Sequence, residues 1–196
     1  MSKKNTRNTR SRIVKAAWDL FYKQGYQSTT VEEIVETSGT SKGSFYHYFS
    51  GKDDLLGTLS TLFDEKYQEL EPLLDPHMTA MEKLLVLNAE LFGMIEESIS
   101  MELLAQLLSS QLLLRSRQQL LDKSRFYYKL LRKIIEEGQS CGEFETVTNA
   151  NDKVKLYALC ERALLYDWCL CQGEYSLKDY SRKVFPSFLE SFRKKS

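Results

Sequence analysis

Histidine is nearly missing from this chain: 196 residues hold two, His47 and His77, in different regions. No nucleophile elbow and no phosphate-cradling Gly loop accompanies them, so an enzyme finds little support. Proline is scarce too, at three residues, which lets helical patterns run for many turns without a forced break. No apolar run approaches the roughly 20 residues needed to span a bilayer. The opening MSKKNTRNTRSR lacks the apolar segment of a secretory signal. No membrane association and a cytoplasmic address are therefore expected. Cys141, Cys160, Cys169 and Cys171 have no disulfide-framework spacing and read as reduced and packed. No metal or cofactor is expected: on a helix Cys169 and Cys171 point about 200° apart, and neither has a nearby His to complete a site.

What the chain does have is 42% hydrophobic residues, enough to bury a substantial core in one domain or in a small domain fused to a larger one. Its net charge is zero, but the zero hides an asymmetry. Residues 1–52 carry nine Lys/Arg against four Asp/Glu, a net of +5 that leaves −5 for the remainder. A basic module on an acidic body predicts a polyanionic partner for the first part only.

Within that basic module, residues 29–55 have the grammar of a helix-turn-helix. Thr30 stands three residues before Glu33, a capping box that predicts a helix from Val31. Gly39 can take the left-handed conformation that ends it, and Ser41 offers its hydroxyl to cap a second helix through Lys42, Gly43, Ser44, Phe45, Tyr46, His47 and Tyr48. A helix meant only for packing would rarely open on Lys, Gly and Ser, since Gly costs about 1 kcal/mol against Ala. A small first turn lets backbone approach another surface closely.

The rest reads as helical throughout. Ile13, Ala16, Ala17, Leu20 and Phe21 follow helical spacing, so residues 9–24 form an amphipathic helix ended by Gly25. Val31, Ile34, Val35, Phe45 and Phe49 complete a small three-helix core. A fourth helix is expected from a Ser50 cap to Pro72. Further helices are expected from Asp75 or Thr79 to Glu97, over 101–113, over 117–138, from Asn149 or Asn151 to 172, and over 176–194. The fold class is all-α: a DNA-binding head of residues 1–52 joined by the fourth helix to a helical domain of residues 53–196.

Arg10–Phe21, Gly25–Glu33, SGTSKGSFYHYF at 38–49 and GKDDLL at 51–56 together resemble the N-terminal signature of the TetR/AcrR family of bacterial transcriptional regulators. The resemblance covers about the first quarter of the chain; beyond it only helix number and length agree. It implies a cytoplasmic homodimer with nine or ten helices per subunit, whose larger domain holds an effector pocket and the dimer interface. It also implies DNA contacts. Lys42 and Gly43 approach base edges, where a Lys can donate to guanine O6 or N7. Ser44, Tyr46, His47 and Tyr48 lie on the same helix, the aromatics matching a cluster that touches phosphates and sometimes bases. Lys52 matches a frequent phosphate contact. Thr29, Thr30 and Ser41 either donate to phosphates or serve as caps alone.

In the larger domain a helical wheel puts Asn88 at the centre of the stripe Met81, Leu84, Leu85, Phe92 and Ile95. It likewise puts Asp167 at the centre of Leu156, Cys160, Ala163, Leu170 and Cys171, where an unpaired carboxylate would cost several kcal/mol. A satisfied core or interface group, or an effector contact, accounts for either; for Asp167 the partner is an effector group, a water, or an Arg such as Arg162 across a dimer interface. Phe126, Tyr127, Tyr128, Tyr166 and Trp168 line an aromatic cavity or an ordinary core. Val184, Phe185, Phe188, Leu189 and Phe192, with the Leu156–Leu170 stripe that includes Ala163, are expected to form a four-helix dimer interface. The function expected is a ligand-responsive repressor that binds a palindromic double-stranded DNA operator as a dimer and is released by an unidentified small-molecule effector. The alternatives are a protein-interaction adaptor that keeps the helix-turn-helix as scaffold and, with less support, a small-molecule enzyme.

Overall fold

The computed structural model describes residues 3–113 and 119–194, with side chains from residue 8 and, in the first segment, through residue 112. Among them are ten α-helices: α1 Lys3–Gln24, α2 Val31–Ser38, α3 Lys42–Tyr48, α4 Asp53–Leu56, α5 Leu59–Leu70, α6 Ala80–Ser98, α7 Met101–Leu113, α8 Phe126–Ser140, α9 Ala150–Leu170 and α10 Leu177–Leu189. The single pairing of extended backbone among the described residues is an isolated bridge between Phe144 and Arg193. The fold is all-α.

Two compact units divide the chain. The first holds the described residues of Met1–Thr61 and Glu102–Leu120, the second those of Leu62–Met101 and Leu121–Ser196. In the first, Ile13, Ala17, Ile34 and Phe45 are fully buried and Phe21 and Phe49 nearly so, which makes the small core of α1–α3. Arg12 ties α1 to the turn between α2 and α3 by donating to the carbonyls of Ser38 at 2.5 Å and Gly39 at 2.9 Å. In the second unit α10 lies along α6, α8 packs on α6 and α9, and Leu84, Phe92, Leu131, Tyr157 and Phe185 fill the interior.

Three expected boundaries are corrected. The fourth helix is not continuous from Ser50: α4 lasts one turn and the chain re-enters a helix at Leu59. Ser50 does not cap it. Its N–H and hydroxyl instead donate to Asp54 Oδ2 at 2.6 and 2.9 Å. The Thr58 hydroxyl donates back to the Leu55 carbonyl and accepts the Trp18 indole N–H. The helix expected from 117 begins at Phe126, after a 3-10 turn at Gln119–Leu121, and residues 117 and 118 lie outside the described ones. The other expected caps stand where the spacing put them, with capping boxes at Thr30/Glu33 and Thr79/Glu82 and side-chain caps from Ser41 and Asn149, while Ser176, expected inside the last helix, caps it and that helix ends at Leu189.

Candidate nucleic-acid interface and effector site

The head presents α3 because its two ends are tightly determined. Gly39 sits at φ +60°, where its N–H bonds to the Glu36 carbonyl and Thr40 N–H reaches Val35, so the α2 helix stops and the chain reverses. Ser41 Oγ then accepts the Ser44 N–H at 3.1 Å and starts α3. Phe45 anchors the helix at 0% exposure, which turns Ser41, Lys42, Gly43, Tyr46 and His47 outward, all exposed, with Ser44 and Tyr48 half-buried.

Gly43 is the informative residue on that face. A Cβ there would meet nothing closer than Ser41 Oγ at 3.8 Å, an ordinary contact. The protomer's own packing therefore gives no reason for glycine, although glycine weakens the helix by about 1 kcal/mol. Beside it Lys42 donates to Glu32 at 2.6 Å across two side chains that are 60% and 61% exposed. That hydrogen bond raises the Lys42 ammonium and lowers the Glu32 carboxyl, and in water so exposed a pair is readily exchanged for another anion.

Three expected phosphate contacts are otherwise employed. Thr29 is buried and donates its hydroxyl to the Gly25 carbonyl at 2.8 Å, so it does not face a partner, a correction of its expected role. Thr30 is exposed but committed to Glu33. Lys52 points inward: its ammonium donates to the carbonyls of Tyr26 at 2.9 Å, Gln27 at 3.2 Å and Thr29 at 2.9 Å.

In the second unit the wheel is right about Asn88 and wrong about Asp167. Asn88 is 1% exposed and donates its amide to Glu161 Oε1 at 3.1 Å. Asp167 is exposed and accepts the Tyr175 hydroxyl at 2.8 Å. Both faces of α9 carry apolar residues, and the buried one is the bulkier stripe Val154, Tyr157, Ala158, Leu164, Leu165 and Trp168.

At the centre of that stripe lies Glu161, 4% exposed, a residue the wheel centred on Asp167 passes over. Its carboxylate accepts Tyr127 Oη at 2.6 Å, Asn88 Nδ2 at 3.1 Å and Tyr67 Oη at 3.4 Å, so α5, α6 and α8 all converge on one residue of α9. Tyr157, next to them, gives its hydroxyl to the Leu84 carbonyl at 2.8 Å. Burial raises the Glu161 carboxyl above its ordinary value, opposed by these hydrogen bonds, and burial together with the Glu161 charge raises the tyrosines. Glu161 is legible in retrospect as the one carboxylate on the face that carries Tyr157, Ala158, Leu164 and Leu165.

Of the expected aromatic lining, Tyr127 and Tyr128 are buried, their rings 4.8 Å apart. Phe126 is half-buried and Tyr166 48% exposed. Trp168 is buried, but its indole N–H is taken by the Tyr175 carbonyl. A cleft of about 250 Å³ opens between α6 and α10, lined by Leu85, Asn88, Ala89, Ser181, Phe185 and Pro186 among others.

The expected dimer residues divide as well. Phe185, Leu189 and Phe192 are buried within the protomer's own core at 0–1% exposure, a correction to their expected place on an outward face. Val184 and Phe188 are half-buried, Ala163 is exposed, and Leu156, Leu159, Tyr166 and Leu170 are 42, 55, 48 and 66% exposed. Burial pushes the Cys160 and Cys169 thiols up to about 11, away from reactive thiolate. Among the described residues no group of His, Cys, Asp and Glu is placed to hold a metal ion, and no helix is long and apolar enough to cross a membrane.

Residues 13–59 match the family described as "Bacterial regulatory proteins, tetR family", and residues 59–191 match "YsiA-like protein, C-terminal region". The fatty acid metabolism regulator protein of Bacillus subtilis is 28% identical over 137 residues, 68% of this chain and 69% of that relative. QacR of Staphylococcus aureus, a helix-turn-helix transcriptional regulator, is 39% identical over 62 residues, 32% of this chain and 33% of its own. The solved structure of Thermus thermophilus FadR, a transcriptional repressor in complex with lauroyl-CoA, superposes with a TM-score of 0.78 at 22% identity, covering 95% of this chain and 96% of that one.

Proposed function

Because the chain belongs to the TetR family of bacterial regulatory proteins and is a ligand-responsive DNA-binding transcriptional regulator, we propose that it acts in the cytoplasm as a homodimeric repressor of a palindromic operator. Residues 1–52 serve as the DNA-binding head, and residues 53–196 carry the effector and the partner protomer. The observation that carries the operator reading is Gly43, a glycine the protomer does not need on the exposed first turn of α3. In the complex α3 enters the major groove, the Gly43 backbone meets base edges, and Lys42 leaves Glu32 to donate to a guanine. Ser41, Ser44, Tyr46, His47 and Tyr48 reach the flanking phosphates. Two-fold pairing of the heads matches the operator's symmetry. The α9 stripe Leu156, Leu159, Ala163, Tyr166 and Leu170, flanked by Val184 and Phe188 of α10, forms the dimer contact.

The effector binds in the second unit around Glu161, Asn88, Tyr67 and Tyr127, separating helices whose packing those groups now hold. Only a ligand that prefers one arrangement of the dimer over the other can release DNA. A fatty acyl-CoA is the first effector to test, on the strength of the lauroyl-CoA held by the Thermus thermophilus FadR structure and of the Bacillus subtilis relative's name, which ties it to fatty acid metabolism. The buried Glu161 carboxylate supports a second reading, an organic cation held by the carboxylate and the tyrosine faces around it. Selection of bound DNA from a random library, followed by titration of the selected complex with lauroyl-CoA and with hexadecyltrimethylammonium, separates the readings. Failure to enrich any sequence sinks the operator reading and favours a protein-interaction adaptor. An enriched operator that neither compound releases sinks both effector classes.

A further inference from the structure

Lys52 immediately precedes α4 in the motif GKDDLL, where the family resemblance makes it a phosphate contact. Its geometry is that of an internal clamp. An ammonium has three N–H donors, and this one spends them on the carbonyls of Tyr26, Gln27 and Thr29 at 2.9, 3.2 and 2.9 Å. The same ammonium stands 4.4 Å from the centroid of the Tyr26 ring, within cation–π range. The neighbouring Asp53 carboxylate accepts the Tyr26 hydroxyl, and the Tyr26 ring packs 5.1 Å from Phe21. Tyr26 is 2% exposed, so Lys52 and Asp53 together grip a side chain embedded in the head's core.

The gripped segment is the loop between α1 and α2. It ends at Thr30, whose side chain caps α2, and α2 leads through the Gly39 turn into α3. From its other side α7 supplies Glu102, whose Oε1 accepts the Gln27 N–H at 3.4 Å. Three carbonyls of this one loop, those of Tyr26, Gln27 and Thr29, are thus bonded to one side chain, and the position of α2 is set from that point.

We propose that Lys52 is a positioning residue for base recognition, holding the α1–α2 loop so that α3 meets the groove in one register, and that it does not hold a phosphate. The inference rests on the operator reading but is tested separately from it. Phosphate contacts lower affinity for all sequences when lost and reduce the salt slope by about 0.9 per contact, whereas a misplaced base-reading helix loses discrimination. The two roles also differ in what can replace the lysine. Arginine serves a phosphate as well or better, but its planar fork does not reproduce three diverging donors on one tight loop.

Wild type, Lys52→Arg, Lys52→Met and Tyr26→Phe are compared for affinity to the selected operator and to random DNA across a salt series, with thermal melting of each. Wild-type preference for the selected operator establishes the operator reading by itself. The clamp predicts that both Lys52 variants lose about tenfold on the operator, keep their random-DNA affinity and keep the wild-type slope, and that Tyr26→Phe shows a smaller loss of the same kind. A Lys52→Arg protein whose head melts early supports the clamp equally, because a surface phosphate grip tolerates that exchange. Wild-type behaviour of Lys52→Arg, with equal losses on both DNAs and a reduced slope for Lys52→Met, overturns it.

Discussion

Tyr127 donates its hydroxyl to Glu161 at 2.6 Å, joining α8 to α9 through a carboxylate that no cation neutralises among its hydrogen-bond partners. Hydrocarbon of the same volume would fill that space without the desolvation cost of an acid. A core that keeps a polar cluster where packing alone would favour leucine is one in which the cluster has a use, and the use proposed is effector binding.

Replacing the acid with leucine should expose the dependence of its neighbours on it. Glu161→Leu leaves the Tyr67 and Tyr127 hydroxyls and the Asn88 amide without their acceptor, at about 1–3 kcal/mol for each buried group left unpaired. Urea unfolding should show a clear loss of stability, and an unchanged midpoint would mean that these groups find other partners.

The same carboxyl predicts a pH dependence. Because burial raises it above 4.5, at pH values between that and its folded value the native protein keeps a proton that the unfolded chain has released. Its favourable contribution is complete below pH 4.5 and declines as pH rises through this window. The melting temperature of wild type relative to Glu161→Gln should therefore fall as pH rises above 4.5. Parallel curves would show that Glu161 ionises alike in both states.

An opposite slope is expected at acid pH from Glu145. The buried Lys153 ammonium and the Thr148 N–H hold its carboxyl down at about 2. Stability from this pair is complete above the ordinary carboxylate range and is lost as pH falls toward 2. Glu145→Gln should flatten the acid limb of the stability profile. It should also lower stability at neutral pH by leaving Lys153, 1% exposed, without its charge partner.

At Gly43 stability and function should part. Alanine fits, since its Cβ meets only Ser41 Oγ at 3.8 Å, so Gly43→Ala should stabilise the free protein by about 0.5–1 kcal/mol through helix propensity and reduced unfolded-state freedom. Operator affinity should drop at least tenfold. A variant both more stable and equally tight in an anisotropy titration would remove the close-approach role.

Dimerisation should be separable from folding at Leu159, which is 55% exposed in the protomer. Leu159→Glu should sediment as a folded monomer with an unchanged helical spectrum and without operator binding. Phe185→Asp, by contrast, strikes the core and should unfold the second unit. A Leu159→Glu protein that remains dimeric at micromolar concentration would move the interface elsewhere.

What the amino-acid order determined by itself is whatever acts within a turn or two of chain. The Thr30/Glu33 and Thr79/Glu82 boxes, the Ser41 cap, the left-handed Gly39 and the burial of Phe45 were all legible, because each needs partners only a few residues away or an unambiguous apolar position. Tertiary structure decided the choices that local pattern leaves degenerate. On α9 two apolar stripes compete, and only packing against α5, α6 and α8 buries Glu161 and leaves Asp167 outside. Ser50 reads locally as a cap, and the family resemblance makes Lys52 a phosphate contact. Lys52 is drawn instead to carbonyls 23 to 26 residues back in the chain, and Ser50 to Asp54 across the α4 turn, because unsatisfied backbone and buried carboxylate there need donors.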